Sequence, residues 1–76
     1  MDEVAAIQKA CRRIPIYEDL NNPALAPIVA LKELGRSLHA RIEQMDGDPR
    51  CKALAQTELE SALTWAVKAH HLEPDS

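Results

Sequence analysis

The sequence predicts an all-α protein: a short N-terminal helix precedes a long antiparallel helical hairpin, and copies of the chain assemble as a homo-oligomer. Apolar residues recur every three or four positions along two long segments, which is the spacing of a helix face. A proline next to asparagine or aspartate stands at the start of each long segment, as is typical of helix starts. The chain has 76 residues, enough for a single domain, and only 3% of them are aromatic. A chain this short buries only about 60% of its unfolded surface, so we expect neighbouring subunits to share apolar surface.

The N-terminal helix is predicted over residues 1–13, and a connector follows it over residues 14–23. Asp2 is a candidate N-cap for this helix. Apolar side chains recur along the helix at helical spacing: Val4, Ile7 and Cys11. The helix is expected to end before Pro15, because the residue that precedes a proline disfavours helical backbone angles.

The hairpin is predicted over residues 24–71, with its turn at residues 46–49. Asn22 is a suitable N-cap for the first hairpin helix, and Pro23 fits the position after the cap. The apolar positions of this helix form a heptad seam: Ile28, Leu31, Gly35, Leu38, Ile42 and Met45. A glycine inside a helix costs about 1 kcal/mol relative to alanine. Gly35 therefore indicates that another backbone or a ligand approaches the helix closely at this point.

The second hairpin helix is predicted to start at Pro49, with Asp48 as its cap, and to run to about His71. Small and apolar residues recur along it at heptad spacing: Ala55, Leu59, Ala62, Ala66 and Ala69. Further apolar side chains stand beside this stripe: Leu63, Trp65 and Val67. So much apolar circumference indicates two contact faces, one for the other hairpin helix and one for another subunit. Trp65 is expected to lie in a core.

Composition excludes several classes of function. The formal net charge of −3 argues against a protein that binds duplex DNA, because such proteins need a basic face. No apolar run approaches the roughly 18 residues that a membrane span needs. Two cysteines without a metal or redox spacing, and no secretory signal, predict a cytoplasmic location. We find no glycine-rich phosphate loop, zinc-protease motif or nucleophile cluster, so no enzymatic activity and no cofactor are predicted.

The histidines do not predict a metal site. Neighbouring residues on a helix point about 100° apart, so His70 and His71 have poor geometry for one metal ion. Their simplest interpretation is a helix end at which histidine is favoured by the helix dipole. His39 is expected to be a surface residue of the first hairpin helix.

Tyr17 and a cationic stripe are the candidate binding residues. Lys32, Arg36 and His39 follow one another at helical spacing beside Gly35. Two interpretations remain open. In one, the stripe is a solvated helix face and Tyr17 packs the connector against the hairpin. In the other, the tyrosine ring stacks on a base, which is worth about 1–3 kcal/mol, and the lysine binds a phosphate.

Segments in the connector and in both hairpin helices resemble one family, the phage anti-CBASS cyclic-nucleotide sponges. Their helical hairpin is shared with a phage anti-Thoeris sponge. The segments are IYEDL at 16–20, LKELG at 31–35 and DPRCKALAQTEL at 48–59. The order of these segments, and the separation of Tyr17 from Lys32, match the family pattern over roughly residues 14–74.

The resemblance implies a binding protein that performs no chemistry. In the family, the tyrosine equivalent to Tyr17 stacks on a base of a cyclic dinucleotide such as cyclic GMP–AMP, and the lysine equivalent to Lys32 contacts its phosphate. Ile16, Gly35 and Arg36 are expected beside these two residues in the same ligand-binding site. Two subunits close over one ligand, and the dimers assemble into a hexamer. In the cytosol of the infected host bacterium, such a protein lowers the free messenger concentration and keeps the CBASS effector inactive.

Some members of the family also hold cyclic trinucleotides at a separate site on the assembly axis, and they use an arginine near the end of the last helix. Lys68 stands at that position here, so it is a candidate residue for a trinucleotide ligand. The chain departs from the family pattern at four positions: Ile16 for glycine, Glu18 for arginine, Leu34 for a polar residue and Lys68 for arginine.

One alternative to a sponge is a small helical module that binds another protein and no nucleotide. The same heptad seams favour this interpretation. A compact DNA-binding regulator is a weaker alternative, because the net charge is acidic.

Overall fold

The computed structural model describes residues 3–17 and 20–72, and over these ranges it contains three α-helices and no strand. Helix α1 spans Glu3–Arg13, α2 spans Ala26–Gln44 and α3 spans Pro49–His71, and a single 3-10 turn over Pro23–Leu25 leads into α2. The helical prediction is therefore confirmed. The candidate cap Asp2 and the departure at Glu18 lie outside the described residues.

The three helices form a single layer with α2 in the middle. Helix α1 packs against α2 and so does α3, whereas α1 and α3 have little contact with each other. Along its principal axes the chain extends over 43 × 27 × 13 Å, so it is much longer and wider than it is thick. Helix α1 and helix α3 therefore each have one face that no other part of the described chain covers.

Side-chain caps start α3 and side-chain donors close the turn before it. The Asp48 carboxylate accepts hydrogen bonds from the Arg50 backbone N–H at 3.2 Å and from the Cys51 thiol at 3.1 Å. These bonds, the thiol's above all, lower the pKa of Asp48, and the same contact raises the pKa of Cys51. Lys52 Nζ donates to the carbonyls of Met45 at 2.6 Å and Glu43 at 3.0 Å, which satisfies acceptors that the end of α2 leaves unpaired.

Asn22 caps the 3-10 turn that leads into α2, whereas the sequence predicted it as the cap of the helix itself, whose N-cap position is Leu25. Asn22 Oδ1 accepts a hydrogen bond from the Ala24 backbone N–H at 3.0 Å, and Pro23 follows at the first helical position. Two prolines near the start of α2 are tolerated because the first backbone N–H groups of a helix have no partner within it.

Helix α1 approaches α2 closely because the residues at their contact are small. Ala6 and Ala10 of α1 are buried against Ala40 of α2. Larger apolar side chains, Ile14 and Ile28, are buried near the end of α1 and the start of α2. Van der Waals contact between closely spaced helices stabilises this pair despite the small side chains.

Gly35 lets α3 pack closely on α2. A Cβ atom at this position would lie 2.5 Å from Leu63 Cδ1 and 3.3 Å from Leu63 Cγ. The Leu63 side chain therefore fills the space that the glycine leaves, and both residues are buried. The close approach inferred from the sequence is that of a leucine side chain on the partner helix.

The face of α3 that meets α2 differs from the predicted alanine stripe. The buried residues of α3 are Gln56 and Leu63, whereas Ala55, Ala62 and Ala69 of the predicted stripe are exposed. Leucine buries more apolar area than alanine, and a glycine on α2 is available to receive it. Relative to the prediction, α3 is therefore rotated about its own axis so that Leu63 faces α2. The alanines line the outer side of the layer.

A buried polar network lies along the same helix pair, and it overturns the expectation that His39 is a surface residue. The His39 side chain is 0% exposed. Gln56 Nε2 lies 3.5 Å from His39 Nδ1, 3.3 Å from the His39 carbonyl oxygen and 2.7 Å from Glu43 Oε2. Donation from the Gln56 amide assigns the acceptor role to Nδ1 and leaves Nε2 as the donor of the ring.

The same network ties α1 to the hairpin. Lys9 Nζ of α1 donates to Glu43 Oε2 at 2.7 Å, so this oxygen accepts from both Lys9 and Gln56. The hydrogen bond from Lys9, followed by that from Gln56, lowers the pKa of Glu43 below its ordinary value of 4.5. A carboxylate on the middle helix therefore joins all three helices.

We expect the effect of Gly35→Ala on stability to change sign when Leu63 is shortened. In the wild-type background the new methyl group crowds Leu63, and overpacking of about 1–3 kcal/mol outweighs the gain of about 1 kcal/mol in helix propensity. In a Leu63→Ala background the same substitution should stabilise the fold by about 1 kcal/mol. Urea unfolding at a fixed protein concentration measures this double-mutant cycle. Equal effects in the two backgrounds would contradict the packing described above.

We expect Glu43→Gln to lower the free energy of unfolding at neutral pH by about 1 kcal/mol, because it removes a charged hydrogen bond. The folded pKa of Glu43 is depressed, so its contribution is complete above the unfolded value of about 4.5 and is lost as the pH falls through the folded value. The stability difference between wild type and variant should therefore shrink below pH 4.5. Glu33→Gln, at an exposed position on the same helix, is the control. A difference that stays constant with pH would refute this account.

Candidate functional site

A concave pocket of about 310 Å³ lies where the connector crosses the hairpin. Its lining comes from the end of α1, the connector, α2 and α3: Arg13, Ile14, Pro15, Tyr17, Lys32, Glu60, Leu63, Thr64 and Val67. We call this the connector pocket. Apolar side chains make much of its surface, and the charged groups come from three different helices. A concave, partly apolar pocket with a few convergent polar groups is the usual form of a ligand site.

Tyr17 stands at the rim of the connector pocket with an accessible ring. The residue is 86% exposed, so the ring is not used to pack the connector against the hairpin. The backbone leading to it is nonetheless anchored. Ile14 is buried, its N–H donates to the Ala10 carbonyl at 2.8 Å, and its own carbonyl accepts from Arg36 Nε at 2.7 Å. These contacts fix the start of the connector and therefore limit where the tyrosine can reach.

The structure brings Tyr17 and Lys32 to the same pocket, although 15 positions separate them in the sequence. Lys32 is half-buried on α2, one helical turn before Arg36. An aromatic ring and an ammonium group beside one cavity suit a ligand that combines a planar ring with a negative charge.

The other candidate residues do not line the connector pocket. Gly35 contributes indirectly, because it leaves space for Leu63, which lines the pocket. Arg36 contributes by donating a hydrogen bond to the Ile14 carbonyl in the connector. Ile16 is half-buried in the connector. Lys68 lies on an exposed part of α3, where its Nζ is 5.0 Å from the centre of the Trp65 ring.

Sequence analysis missed two charged residues that line the pocket. Arg13 Nε lies 3.4 Å from the Glu60 carboxylate, and His39 Nε2 lies 3.4 Å from Glu60 Oε2. The side chain of Glu60 is 24% exposed. The register of the hairpin could have indicated that Glu60 lies near His39. Gln56 stands about as far after the predicted turn as His39 stands before it, so the two should face each other. Glu60 is one helical turn beyond Gln56.

The outer face of α3 carries large exposed apolar side chains. Trp65 is 66% exposed, and Leu54 and Leu72 are exposed as well. The expectation that Trp65 lies in a core is wrong for the single chain, where the tryptophan contacts Lys68 instead. This exposed apolar face is therefore a candidate association surface.

The described residues give no indication of a metal centre or of a membrane span. Residues 3–17 and 20–72 contain no group of three or more histidine, cysteine, aspartate or glutamate residues arranged to hold a metal ion. None of the helices in these ranges combines the length and the apolar character that crossing a bilayer requires.

Comparison with known proteins supports the resemblance seen in the sequence. A family model described as "Acb2/Tad1, hairpin domain" matches residues 16–69. The match covers the connector from Ile16, the whole of α2 and nearly all of α3, and it leaves α1 outside. Neither a curated protein nor a solved structure matches the chain.

We expect Arg36→Ala to loosen the junction of α1 with the connector. The substitution leaves the buried carbonyl of Ile14 without its donor, and an unsatisfied buried acceptor costs about 1–3 kcal/mol. Amide hydrogen exchange at Ile14 should accelerate by roughly fivefold or more, while overall helicity measured by circular dichroism is retained. Arg41→Ala, at an exposed position of the same helix, should leave this exchange rate unchanged. Unaltered exchange in both variants would show that Arg36 does not anchor the connector.

Proposed function

We propose a function from the premise that the chain belongs to the Acb2/Tad1 hairpin-domain family. Membership of this family implies, in broad terms, a phage anti-defence protein that acts as a sponge, holding its ligand rather than converting it. The more specific proposal is that this chain sequesters a cyclic oligonucleotide messenger, most simply a cyclic dinucleotide such as cyclic GMP–AMP. By lowering the free messenger in the host cytosol, it keeps a CBASS effector inactive.

The placement of Tyr17 and Lys32 on one pocket is the observation that carries this proposal. A nucleotide presents a planar base next to a charged phosphate. The exposed tyrosine ring offers a face on which the base stacks, a contact worth about 1–3 kcal/mol. The lysine offers a point charge for the phosphate. The apolar walls formed by Leu63 and Val67 keep water away from the sides of the base.

The sponge proposal requires that the bound messenger remains intact. Hydrolysis of a phosphodiester needs an activated nucleophile and a stabilised charge on the transition state. Among the lining residues, the only hydroxyl groups belong to Tyr17 and Thr64. The Thr64 hydroxyl donates to the Glu60 backbone carbonyl at 3.0 Å, which makes it a poor nucleophile. This arrangement favours binding over cleavage by a nucleophile of the protein itself.

A second copy of the chain completes the site in this proposal. A cyclic dinucleotide carries two bases, whereas each chain has a single tyrosine. Two subunits that each supply Tyr17 and Lys32 would therefore enclose one ligand. The exposed outer face of α3 and the thickness of only 13 Å favour further association of such dimers, and a hexamer is the assembly that we propose.

A helical module that binds another protein is the second candidate function. The exposed side chains of Leu54, Trp65 and Leu72 on α3 favour it, because they form an apolar face that such a partner would cover. This second function predicts that titration with any cyclic nucleotide gives no heat of binding. It also predicts that a pull-down from infected cells recovers a stoichiometric protein partner.

We expect Tyr17→Ala to weaken cyclic GMP–AMP binding by roughly tenfold to a hundredfold, since base stacking is lost, while Tyr17→Phe keeps the ring and binds nearly as well as wild type. Isothermal titration calorimetry should give one ligand per two wild-type subunits. Chromatography of the ligand released by proteolysis should recover it unchanged. Equal affinity of the alanine and phenylalanine variants would remove Tyr17 from the site, and a cleaved ligand would show that the protein is an enzyme.

Lys32→Gln should also reduce this affinity, and the affinity that remains should depend less on salt concentration, because a contact with the phosphate is lost. Lys68→Gln removes a lysine that lies away from the connector pocket, so dinucleotide binding should be retained. A loss of cyclic trinucleotide binding in the Lys68 variant alone would support a second site at that lysine. If the two variants bind the dinucleotide equally well, Lys32 is not the phosphate ligand.

A further inference from the structure

We propose that Glu60 determines which base enters the connector pocket and that it selects guanine. This inference rests on the proposed function, because it assigns a role to Glu60 within the same nucleotide site. Glu60 differs from Tyr17 and Lys32, which bind features that every nucleotide has: a flat base and a phosphate. A carboxylate on the wall of the pocket distinguishes one base from another.

The Glu60 carboxylate is held in place by two cationic or polar donors. His39 Nε2 approaches it at 3.4 Å from α2, and Arg13 Nε approaches it at 3.4 Å from the end of α1. His39 is itself completely buried and has Gln56 against its other ring nitrogen. These contacts favour one orientation of the carboxylate before a ligand binds, which reduces the conformational entropy lost on binding.

Guanine matches a fixed carboxylate better than the other bases do. An ionised carboxylate only accepts hydrogen bonds, and its two oxygens accept from two donors that lie side by side. The Watson–Crick edge of guanine offers such a pair, the N1–H and the 2-amino group. Adenine and cytosine each place an acceptor nitrogen next to their amino group, and uracil places its single N–H between two carbonyl oxygens. All three of these bases would bring a lone pair against a carboxylate oxygen.

The surroundings of Glu60 make the mismatch costly. Leu63, Val67 and Pro15 line the same pocket, and a base stacked on Tyr17 would displace water from it. A base that offers no donor there would displace water from the carboxylate without replacing the hydrogen bonds that the water made. Sites that hydrogen-bond one ligand discriminate strongly against an analogue that leaves their polar groups unpaired.

The test compares cyclic di-GMP with cyclic di-AMP by calorimetric titration of the full chain. We expect wild type to prefer cyclic di-GMP by roughly tenfold to a hundredfold, the discrimination of a good bidentate pair. Glu60→Gln replaces one acceptor oxygen with an amide donor, which weakens the guanine pair and suits adenine. This variant should therefore bind cyclic di-GMP more weakly and cyclic di-AMP more tightly than wild type does. Glu58→Gln, an exposed position of the same helix, is the matched control and should leave both affinities unchanged.

A ligand substitution tests the inference without altering the protein. Cyclic di-IMP is the analogue of cyclic di-GMP that lacks the 2-amino groups, so wild type should bind it at least several-fold more weakly than cyclic di-GMP. Equal binding of these two ligands, or equal binding of the guanine and adenine ligands, would overturn the role of Glu60 and leave the sponge function standing. A Glu60→Gln variant that loses affinity equally for all ligands would assign Glu60 a purely structural role. Absence of binding to every cyclic nucleotide, with unchanged helicity, would overturn the sponge function as well.

Discussion

The missing side chain of Gly35 is the constraint on which the rest of the structure depends. Leu63 occupies the space that any larger residue would fill, with its Cδ1 only 2.5 Å from where a Cβ would lie. This contact sets the distance and the rotation of α3 relative to α2. Further along the pair, the same rotation places Gln56 against His39, and it brings Glu60 to the wall of the connector pocket. Core, polar network and site are therefore consequences of one helix contact.

Local signals in the sequence were sufficient to predict the helices and their starts. Asp48 caps α3 as expected, and Asn22 caps the 3-10 turn that leads into α2, because capping depends on a few consecutive residues. Tyr17 and Lys32 were chosen from chemistry and from a family pattern, and their placement on one pocket follows from the hairpin and the anchored connector. Their role in binding remains a proposal that the variants described above test.

The features that sequence analysis missed depend on which face of a helix meets its neighbour. Helix α3 is apolar around much of its circumference, so its sequence alone allows either the alanine stripe or the stripe through Leu63 to face α2. The burial of His39 could not be recognised from its own surroundings in the chain, since its partners Gln56 and Glu60 come from the other helix. Trp65 was expected in a core because of its position beside the apolar stripe, but no other described part of the chain covers that side of α3. These errors concern rotation about a helix axis, which is a property of the pair rather than of either segment.

A fold only 13 Å thick also has consequences for how such a chain changes over evolutionary time. Few side chains are enclosed on all sides, so few positions are restricted by packing, and substitutions elsewhere cost little stability. We expect the lineage to drift rapidly at its many open positions while a sparse set of caps, small contact residues and pocket groups is retained. Pairwise identity between members should then fall quickly, whereas the spacing of the retained residues should persist. Membership of a family with this shape should therefore be easier to recognise from the spacing of a few residues than from overall sequence identity.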